Sequence, residues 1–154
     1  LLDSNDIVKV IEEKKKYFNE VINCFCEISS EEDPSSVNIP KVLFSEDNNL
    51  IYMSRKVLPG YKDLLNAPTK YYKQVCIYAF NRKELMKYGA FGRKSIIEQA
   101  EDIEILRFLE WQQPVRMIET NSGSLAVDEP EDVHVVEIAL QKIQKIQNDK
   151  DWIR

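Results

Sequence analysis

The hydrophobic residues change their spacing several times along this chain, and that alternation constrains the fold more than any other feature of the sequence. Residues 4–18 predict an amphipathic helix, because Ile7, Ile11 and Phe18 recur at helical spacing. Residues 20–28 are mostly apolar on both alternating faces, which is typical of an interior strand. Because helices and strands alternate in this way, we expect an α/β fold, with a layered mixed sheet flanked by helices.

The segments that follow continue the alternation. The polar run at 47–49 predicts the turn of a β-hairpin over 41–55, because Asp and Asn tolerate left-handed backbone angles. Ser95 with Glu98 three residues later forms a capping box, which predicts the start of a helix over 95–109. The other predicted elements are a strand at 72–80, a short helix at 82–89, a strand at 114–120 and a last helix after Asp128.

Charge and residue counts exclude several classes of protein. The 21 Lys and Arg against 26 Asp and Glu leave no basic surplus for a phosphate backbone, so we expect no nucleic-acid partner. The 3 cysteines lack metal-ligand spacing, and His134 is the single histidine, which argues against histidine-based catalysis. The longest apolar run, residues 75–80, is too short to span a bilayer, so we expect a cytoplasmic protein without membrane contact. Chemistry here depends on carboxylates, Arg, Lys, Tyr or a hard metal ion.

Four segments in register resemble a known family. They are KVLFSEDNNLIYMSRKVLP from residue 41, KQVCIYAF from 73, SIIEQAEDIEILRFLEW from 95 and SLAVDEPEDV from 124. In order and spacing they resemble the C-terminal part of the 3-deoxy-manno-octulosonate cytidylyltransferases, also called CMP-Kdo synthetases. The resemblance covers essentially the whole chain, and it implies the C-terminal part of a Rossmann-like, nucleotide-diphospho-sugar transferase fold.

The resemblance also implies a reaction and its partners. In this family the anomeric hydroxyl of the sugar acid Kdo attacks the α-phosphate of CTP, and pyrophosphate leaves with the assistance of Mg²⁺. The CMP-sugar serves lipopolysaccharide or capsule synthesis. The family is dimeric, and we expect the homodimer interface between residue 95 and residue 120.

The resemblance further implies an N-terminal half that binds the nucleotide through a Gly-rich basic loop and a Gly-Asp-x-Pro motif. Neither motif occurs in this chain, whose 4 glycines are not clustered. We therefore expect residues 1–154 to form a single domain, the C-terminal portion of a longer enzyme, and to be inactive alone.

Two charged residues gain roles from the resemblance. Asp128 lies in the family's Val-Asp-x-Pro-Glu-Asp element, which implies a catalytic aspartate that binds Mg²⁺. Without the resemblance, Asp128 would be interpreted as a helix N-cap ahead of Pro130. Arg55 matches an arginine near the sugar-acid site, where a guanidinium suits a carboxylate; otherwise it is a solvated residue at the end of a hairpin.

Four further residues are implied to bind the sugar acid. Tyr78 matches a tyrosine that lines the sugar pocket, although an aromatic residue is also ordinary on a buried strand. Gln74 stands where the family has histidine; an amide can bind a sugar hydroxyl but carries no charge, which suggests a variant of Kdo. Glu98 and Gln99 match a helix start whose glutamate contacts sugar hydroxyls, whereas the sequence alone predicts a capping residue and a solvated one.

Four other groups are expected to be ordinary surface. The lysines at 14–16 and the acidic run at 31–33 are predicted to be solvated. Glu101 is predicted to lie on a solvated helix face, and Glu104 with Arg107 to form a surface ion pair. Two alternatives to the main hypothesis stay open: a non-catalytic module for sugar-acid binding or dimerisation, and a synthetase for sialic-acid-like sugars.

Overall fold

The computed structural model describes residues 3–121, 130, 133, 134 and 136–142, and it confirms the α/β fold. The elements in chain order are α1 (Ser4–Lys16), β1 (Val21–Glu27), β2 (Lys41–Phe44), β3 (Leu50–Ser54), β4 (Tyr72–Ala79), α2 (Arg82–Ala90), α3 (Ile96–Glu101), α4 (Leu106–Glu110) and β5 (Val115–Glu119). No helix of the described part of the chain is long and apolar enough to cross a membrane.

Two compact units divide the chain, Ser4–Ser122 and a second unit that combines Leu1–Asp3 with Gly123–Arg154. The five strands belong to the first unit. In the second unit, residues 133, 134 and 136–142 are helical, in agreement with the predicted last helix. The expectation of a single domain over 1–154 stays a prediction.

The strands form one mixed sheet in the order β3-β2-β4-β1-β5. β1 is parallel to β5 and antiparallel to β4, and six of its seven residues are buried. On one face, Cys24 and Cys26 pack with Val10 of α1; on the other, Phe25 belongs to a core cluster that includes Phe108 of α4. The prediction of an interior strand is therefore confirmed, because helices cover both of its faces.

The tip of the β2–β3 hairpin reaches the opposite edge of the sheet. Asn48 has a φ of 58°, the left-handed angle predicted for this turn. Its carbonyl accepts a hydrogen bond from the backbone N–H of Met117 in β5 at 2.7 Å, and Asn49 forms a bridge with Arg116. The sheet thus curls until its first hairpin touches its last strand.

The helix predicted over 95–109 is wrong as a single element. It breaks at Asp102, which has a φ of 53°, and continues as the separate helix α4. Ile103, Ile105 and Leu106 are all buried. Residues two apart lie on opposite sides of a helix, so a continuous helix could not direct both Ile103 and Ile105 into one core. The break allows the chain to bury all three.

The predicted orientation of α1 is also wrong. Lys14 is buried, and its ammonium contacts both carboxylate oxygens of Glu84, the nearer at 2.8 Å, and the Glu20 carbonyl at 2.6 Å. Glu84 also accepts a hydrogen bond from the Asn81 backbone, the N-cap of α2. A buried cation is costly unless it is paired, so this ion pair fixes which side of α1 faces the sheet.

The acidic run at 31–33 is likewise not simply solvated. Glu32 forms an ion pair with Lys73 of β4 and accepts a hydrogen bond from the Ser29 backbone at 2.9 Å. Both side chains of the ion pair are largely buried. This pair therefore attaches the loop after β1 to the sheet.

We predict that Glu84→Gln lowers the free energy of unfolding by about 3 kcal/mol. The glutamine side chain can still accept the hydrogen bond from the Asn81 backbone, but the buried Lys14 loses its counter-charge. Urea denaturation measures the change. Glu13→Gln is the matched control. It should leave the free energy of unfolding unchanged, because Glu13 pairs with an exposed lysine, Lys16. Equal effects of the two substitutions would contradict the importance of the buried pair.

Candidate functional site

A chain of polar side chains crosses one face of the sheet and ends at the surface. The amide of Gln74 donates hydrogen bonds to the Tyr78 hydroxyl at 2.9 Å and to the Asn23 side-chain oxygen at 3.2 Å. The Tyr78 hydroxyl donates in turn to the carboxylate of Glu104. Asn23 is fully buried and Glu104 is exposed, so this series of hydrogen bonds leads from the core to solvent.

A bulge in β4 fixes the buried end of this series of polar side chains. The register of β1 against β4 shifts between Asn23 and Cys24. The Asn23 amide donates to the carbonyls of Val75 and Ile77, at 3.2 and 3.1 Å. Gln74 and Tyr78 lie four residues apart on the same face of β4, on either side of these carbonyls. The bulge and the asparagine together place two predicted sugar-binding residues in contact.

The environment of Tyr78 keeps its hydroxyl protonated. Burial raises the pKa of Tyr78, and the neighbouring Cys76 and Glu104 raise that pKa further. The phenol therefore acts as a hydrogen-bond donor to Glu104, which is exposed to solvent. An exposed carboxylate beside a phenol and an amide is a suitable set of groups for binding sugar hydroxyls.

Arg55 lies at the end of β3, and its guanidinium connects two other segments. It donates to the carbonyls of Glu101, Val37 and Asp102 at 2.5, 2.7 and 3.1 Å. Bonds to the described residues therefore use three of the five N–H donors of the guanidinium. Arg55 is thus not the freely solvated residue that the sequence alone suggests, and its binding of a sugar carboxylate stays a prediction.

Glu101 organises the backbone beside Arg55, contrary to the expectation of a solvated helix face. Its carboxylate accepts hydrogen bonds from the Ser54 hydroxyl at 2.6 Å and from the Arg55 N–H at 2.8 Å. Burial alone raises the pKa of Glu101, but these hydrogen bonds and that from Tyr52 outweigh burial and lower the pKa. Glu101 therefore remains ionised and holds the Ser54–Arg55 corner against α3.

Lys41 supports the same corner from inside. It is fully buried, and its ammonium donates to the Arg55 carbonyl at 2.6 Å and the Ser36 carbonyl at 2.8 Å. Burial, and then the nearby Arg55 charge, lower the pKa of Lys41. Arg55 is consequently fixed through its carbonyl as well as through its guanidinium.

Glu98 takes part in a buried ion pair that the sequence analysis missed. Its carboxylate contacts the Arg107 guanidinium through two hydrogen bonds, at 2.6 and 2.7 Å, and accepts from the Ser95 backbone at 2.9 Å. The Arg107 guanidinium also lies 3.8 Å from the centre of the Tyr88 ring. The capping role of Glu98 is confirmed, and the predicted surface pair of Glu104 with Arg107 is wrong.

These contacts separate the predicted site residues into groups. Gln74 and Tyr78 are brought together, Arg55 lies at a different corner, and Glu98 is buried against Arg107. Gln99 lies exposed on α3. Asp128 lies outside the described residues. Among the residues that the structure describes, no group of three or more His, Cys, Asp or Glu side chains could hold a metal ion.

Sequence reasoning missed Asn23 and Glu104 as members of the polar chain. A polar residue in the middle of the apolar run at 20–28 was a signal for Asn23, because a buried amide needs partners. Glu104 carried no such signal. Its position depends on the break after α3, which the helical pattern did not reveal.

Comparison with known proteins gives concordant results. The family model described as cytidylyltransferase matches residues 1–119. The 3-deoxy-manno-octulosonate cytidylyltransferase of Christiangramia forsetii is 30% identical over 135 residues, 86% of this chain and 54% of the relative. That of Syntrophus aciditrophicus is 36% identical over 106 residues, 69% of this chain and 42% of the relative. The chain thus spans about half the length of these curated relatives.

A solved structure has the same fold. It is a CMP:2-keto-3-deoxy-manno-octonic acid synthetase complexed with CTP, and it superposes with a TM-score of 0.81 at 25% sequence identity. The superposition covers 92% of this chain and 57% of that protein. It confirms the predicted nucleotide-sugar transferase-like arrangement of a mixed sheet with flanking helices.

The ion pair of Glu98 predicts acid sensitivity. Burial alone raises the pKa of Glu98, but hydrogen bonds from Arg107 and Ser95 outweigh it and lower the pKa from its ordinary value of 4.5. A carboxyl group whose pKa is lowered on folding contributes stability above that ordinary value, and the contribution is lost as pH falls through the lowered pKa. We therefore expect Glu98→Gln to cost about 3 kcal/mol at pH 7 and progressively less below about pH 4.5.

Urea denaturation of the unsubstituted protein and of the Glu98→Gln variant between pH 7 and pH 3 measures this difference. Glu12→Gln, at an exposed position of α1, serves as the control and should change stability equally little throughout. A pH-independent cost of Glu98→Gln would show that the charge of Glu98 is not what stabilises the pair.

Proposed function

The chain belongs to the cytidylyltransferase family, and from this premise we propose that its full-length protein couples CTP to a 3-deoxy-ulosonic acid, Kdo or a variant of it. The products are the CMP-sugar and pyrophosphate. The observation that carries the proposal is the hydrogen-bonded series Gln74, Tyr78 and Glu104, which places an amide, a phenol and a carboxylate side by side. The protein that contains this series matches the family model. The names of its relatives, 3-deoxy-manno-octulosonate cytidylyltransferases, support the same substrates.

The proposed reaction is an in-line substitution at phosphorus. The anomeric hydroxyl of the sugar acid forms a bond to the α-phosphorus of CTP, the bond to the pyrophosphate oxygen breaks, and the hydroxyl proton passes to solvent or a base. Such chemistry depends on positioning and on neutralising charge. This chain supplies groups for the sugar acid, whereas the resemblance assigns the triphosphate to a segment with a Gly-rich loop.

Each sugar-binding group has a distinct task. Glu104 and Gln74 bind sugar hydroxyls, and the protonated Tyr78 holds Glu104 in place through its hydrogen bond. Arg55 binds the sugar carboxylate through its guanidinium, while Glu101 and Lys41 keep Arg55 fixed. Glu98 has its carboxylate engaged by Arg107, so its contribution is to support α3.

We propose Asp128 as the residue that holds Mg²⁺ together with substrate phosphates, on the strength of the family resemblance. Bound Mg²⁺ would neutralise the charge that develops on the departing pyrophosphate. We further propose a cytoplasmic homodimer with its interface between residues 95 and 120, and a role of the product in lipopolysaccharide or capsule synthesis. Ile96, which is 80% exposed, lies in that interface segment.

The proposal is tested by pyrophosphate release from CTP and Mg²⁺ by the full-length protein, with Kdo, 8-amino-Kdo and a sialic acid offered separately. Release with Kdo or 8-amino-Kdo supports the proposal, and release with the sialic acid alone indicates the sialic-acid-like alternative. No release with any of the three, from folded protein, favours the non-catalytic module.

We expect Gln74→His to shift the preference between Kdo and 8-amino-Kdo about tenfold toward Kdo, because histidine is the residue that the family has at this position.

We also expect Tyr78→Phe to raise the KM for the sugar acid about tenfold and to leave the KM for CTP unchanged. Loss of the phenol removes the hydrogen bond that Tyr78 donates to Glu104 and one of the two acceptors of the Gln74 amide. Steady-state kinetics with each substrate varied in turn measure both constants. Tyr61→Phe is the matched control, since Tyr61 is exposed and outside the site. An equal rise in both KM values would indicate a general structural defect instead.

A further inference from the structure

Lys41 is a fully buried cation that contacts carbonyl oxygens and no carboxylate. Its ammonium donates to the carbonyls of Arg55 and Ser36 at 2.6 and 2.8 Å. Among the described residues, no ion pair includes Lys41. The other two buried cations of that part of the chain, Lys14 and Arg107, each contact a glutamate. A buried charge without a counter-ion is costly, so stability alone does not account for a lysine at this position.

Arg55 carries a second positive charge at the same corner. Within the described part of the chain its guanidinium also donates only to neutral carbonyls, those of Glu101, Val37 and Asp102. The Arg55 charge lowers the pKa of Lys41, which means that the two cations repel each other. An anion bound to the guanidinium would relieve this repulsion, because it would attract both cations.

The charges around Lys41 do not balance. The charged groups that act most strongly on its ammonium are two cations, Arg55 and Lys56, and two carboxylates, Asp33 and Glu101. With Lys41 itself, three positive charges therefore face two negative ones. The corner has an excess of one positive charge, and such an excess favours an anionic ligand.

We propose that Lys41 is a specificity-determining residue of the proposed reaction, whose buried charge acts with Arg55 to select sugars that carry a carboxylate over neutral sugars. Because Lys41 is fully buried, it acts on the carboxylate through its electric field and not by contact. Water and salt screen a buried charge less than an exposed one, so this field reaches a ligand at Arg55. The inference rests on the proposed function, which supplies the sugar acid, and adds the group that distinguishes the acid from a neutral sugar.

The triphosphate of CTP is the other anion that the proposed reaction brings to the protein. The resemblance assigns the triphosphate to a segment with a Gly-rich loop, whereas it places Arg55 near the sugar acid. We therefore assign the charge of Lys41 to the sugar carboxylate. The experiment measures both ligands, so that the two anions are distinguished.

The test compares a charged ligand with a neutral ligand of the same shape. The two ligands are 2-deoxy-Kdo, which lacks the attacking hydroxyl and cannot react, and its C1 carboxamide. Isothermal titration calorimetry of the full-length protein with CTP and Mg²⁺ measures the Kd of each. We expect Lys41→Met to raise the Kd of the carboxylate about tenfold and to change that of the carboxamide less than twofold. The Kd of CTP should not change.

Two further variants separate the charge of Lys41 from its hydrogen bonds. Lys41→Gln keeps an N–H donor but has no charge, so it should weaken carboxylate binding as much as Lys41→Met does. Lys56→Met is the matched control: it removes an exposed charge near the same corner, and the Kd should change less than twofold because solvent screens that charge. Recovery of carboxylate binding in Lys41→Gln would show that Lys41 only positions Arg55, and would overturn the proposal.

A pH titration removes the charge of Lys41 without a substitution. Burial lowers the pKa of Lys41 from its ordinary value of 10.5, so the charge is lost as pH rises through the lowered pKa. The Kd of the carboxylate should therefore rise with pH in the unsubstituted protein and stay level in Lys41→Met. A level Kd up to pH 10.5 in the unsubstituted protein would overturn the proposal, even if the variants fail to fold. The other charged groups that face Lys41 are common to both proteins: Arg55, Lys56, Asp33, Glu101 and, opposite on β4, Lys73 with its partner Glu32.

Pyrophosphate release is measured on the same protein samples. Release with Kdo, together with equal effects of Lys41→Met on the carboxylate and the carboxamide, would overturn this inference and leave the proposed function standing. Charge-selective binding without release would support the inference while the proposed function fails. A higher Kd for CTP in Lys41→Met, with unchanged binding of the carboxylate, would assign the charge of Lys41 to the triphosphate and overturn the inference.

Discussion

The buried amide of Asn23 is the interaction on which the arrangement of this sheet and its polar site depends. An amide in the middle of a buried strand must find partners, because an unpaired polar group inside a protein costs about 1–3 kcal/mol. Asn23 finds them at the bulge in β4, where it donates to the carbonyls of Val75 and Ile77. The bulge in turn sets the positions of Gln74 and Tyr78. A structural requirement of the core thus determines the geometry at the surface.

Buried cations connect elements of this fold that are distant in sequence or separated by a break. Lys14 joins α1 to α2 through Glu84, Arg107 joins α4 to α3 through Glu98, and Lys41 joins β2 to the corner at Arg55. Each cation is buried and contacts at least two oxygen atoms. Pairs of this kind add little net stability over apolar packing, but they tolerate few alternative arrangements. They specify orientation where hydrophobic packing alone would permit several.

The sequence predicted the features that depend on local rules. The strand at β1, the hairpin turn at Asn48 and the capping box of Ser95 with Glu98 each follow from a short pattern with one physical cause. The orientation of α1 was not predictable in the same way. Its apolar residues suggested the wrong buried side, because the ion pair of Lys14 joins residues 70 positions apart in sequence. Glu104 was missed for a similar reason, since its contact with Tyr78 depends on the break after α3.

The hairpin tip that touches β5 has a consequence for assembly. A strand at the edge of a sheet can recruit a strand from another molecule, which leads to continuous sheets and to aggregation. Here the carbonyl of Asn48 already occupies the N–H of Met117, and the Arg116 side chain is held by the Asp47 carbonyl at 3.0 Å. Growth of the sheet by addition of a foreign strand is therefore blocked at this part of β5. Any partner that approaches here has to recognise side chains, which makes association selective by shape and charge and not by backbone pairing.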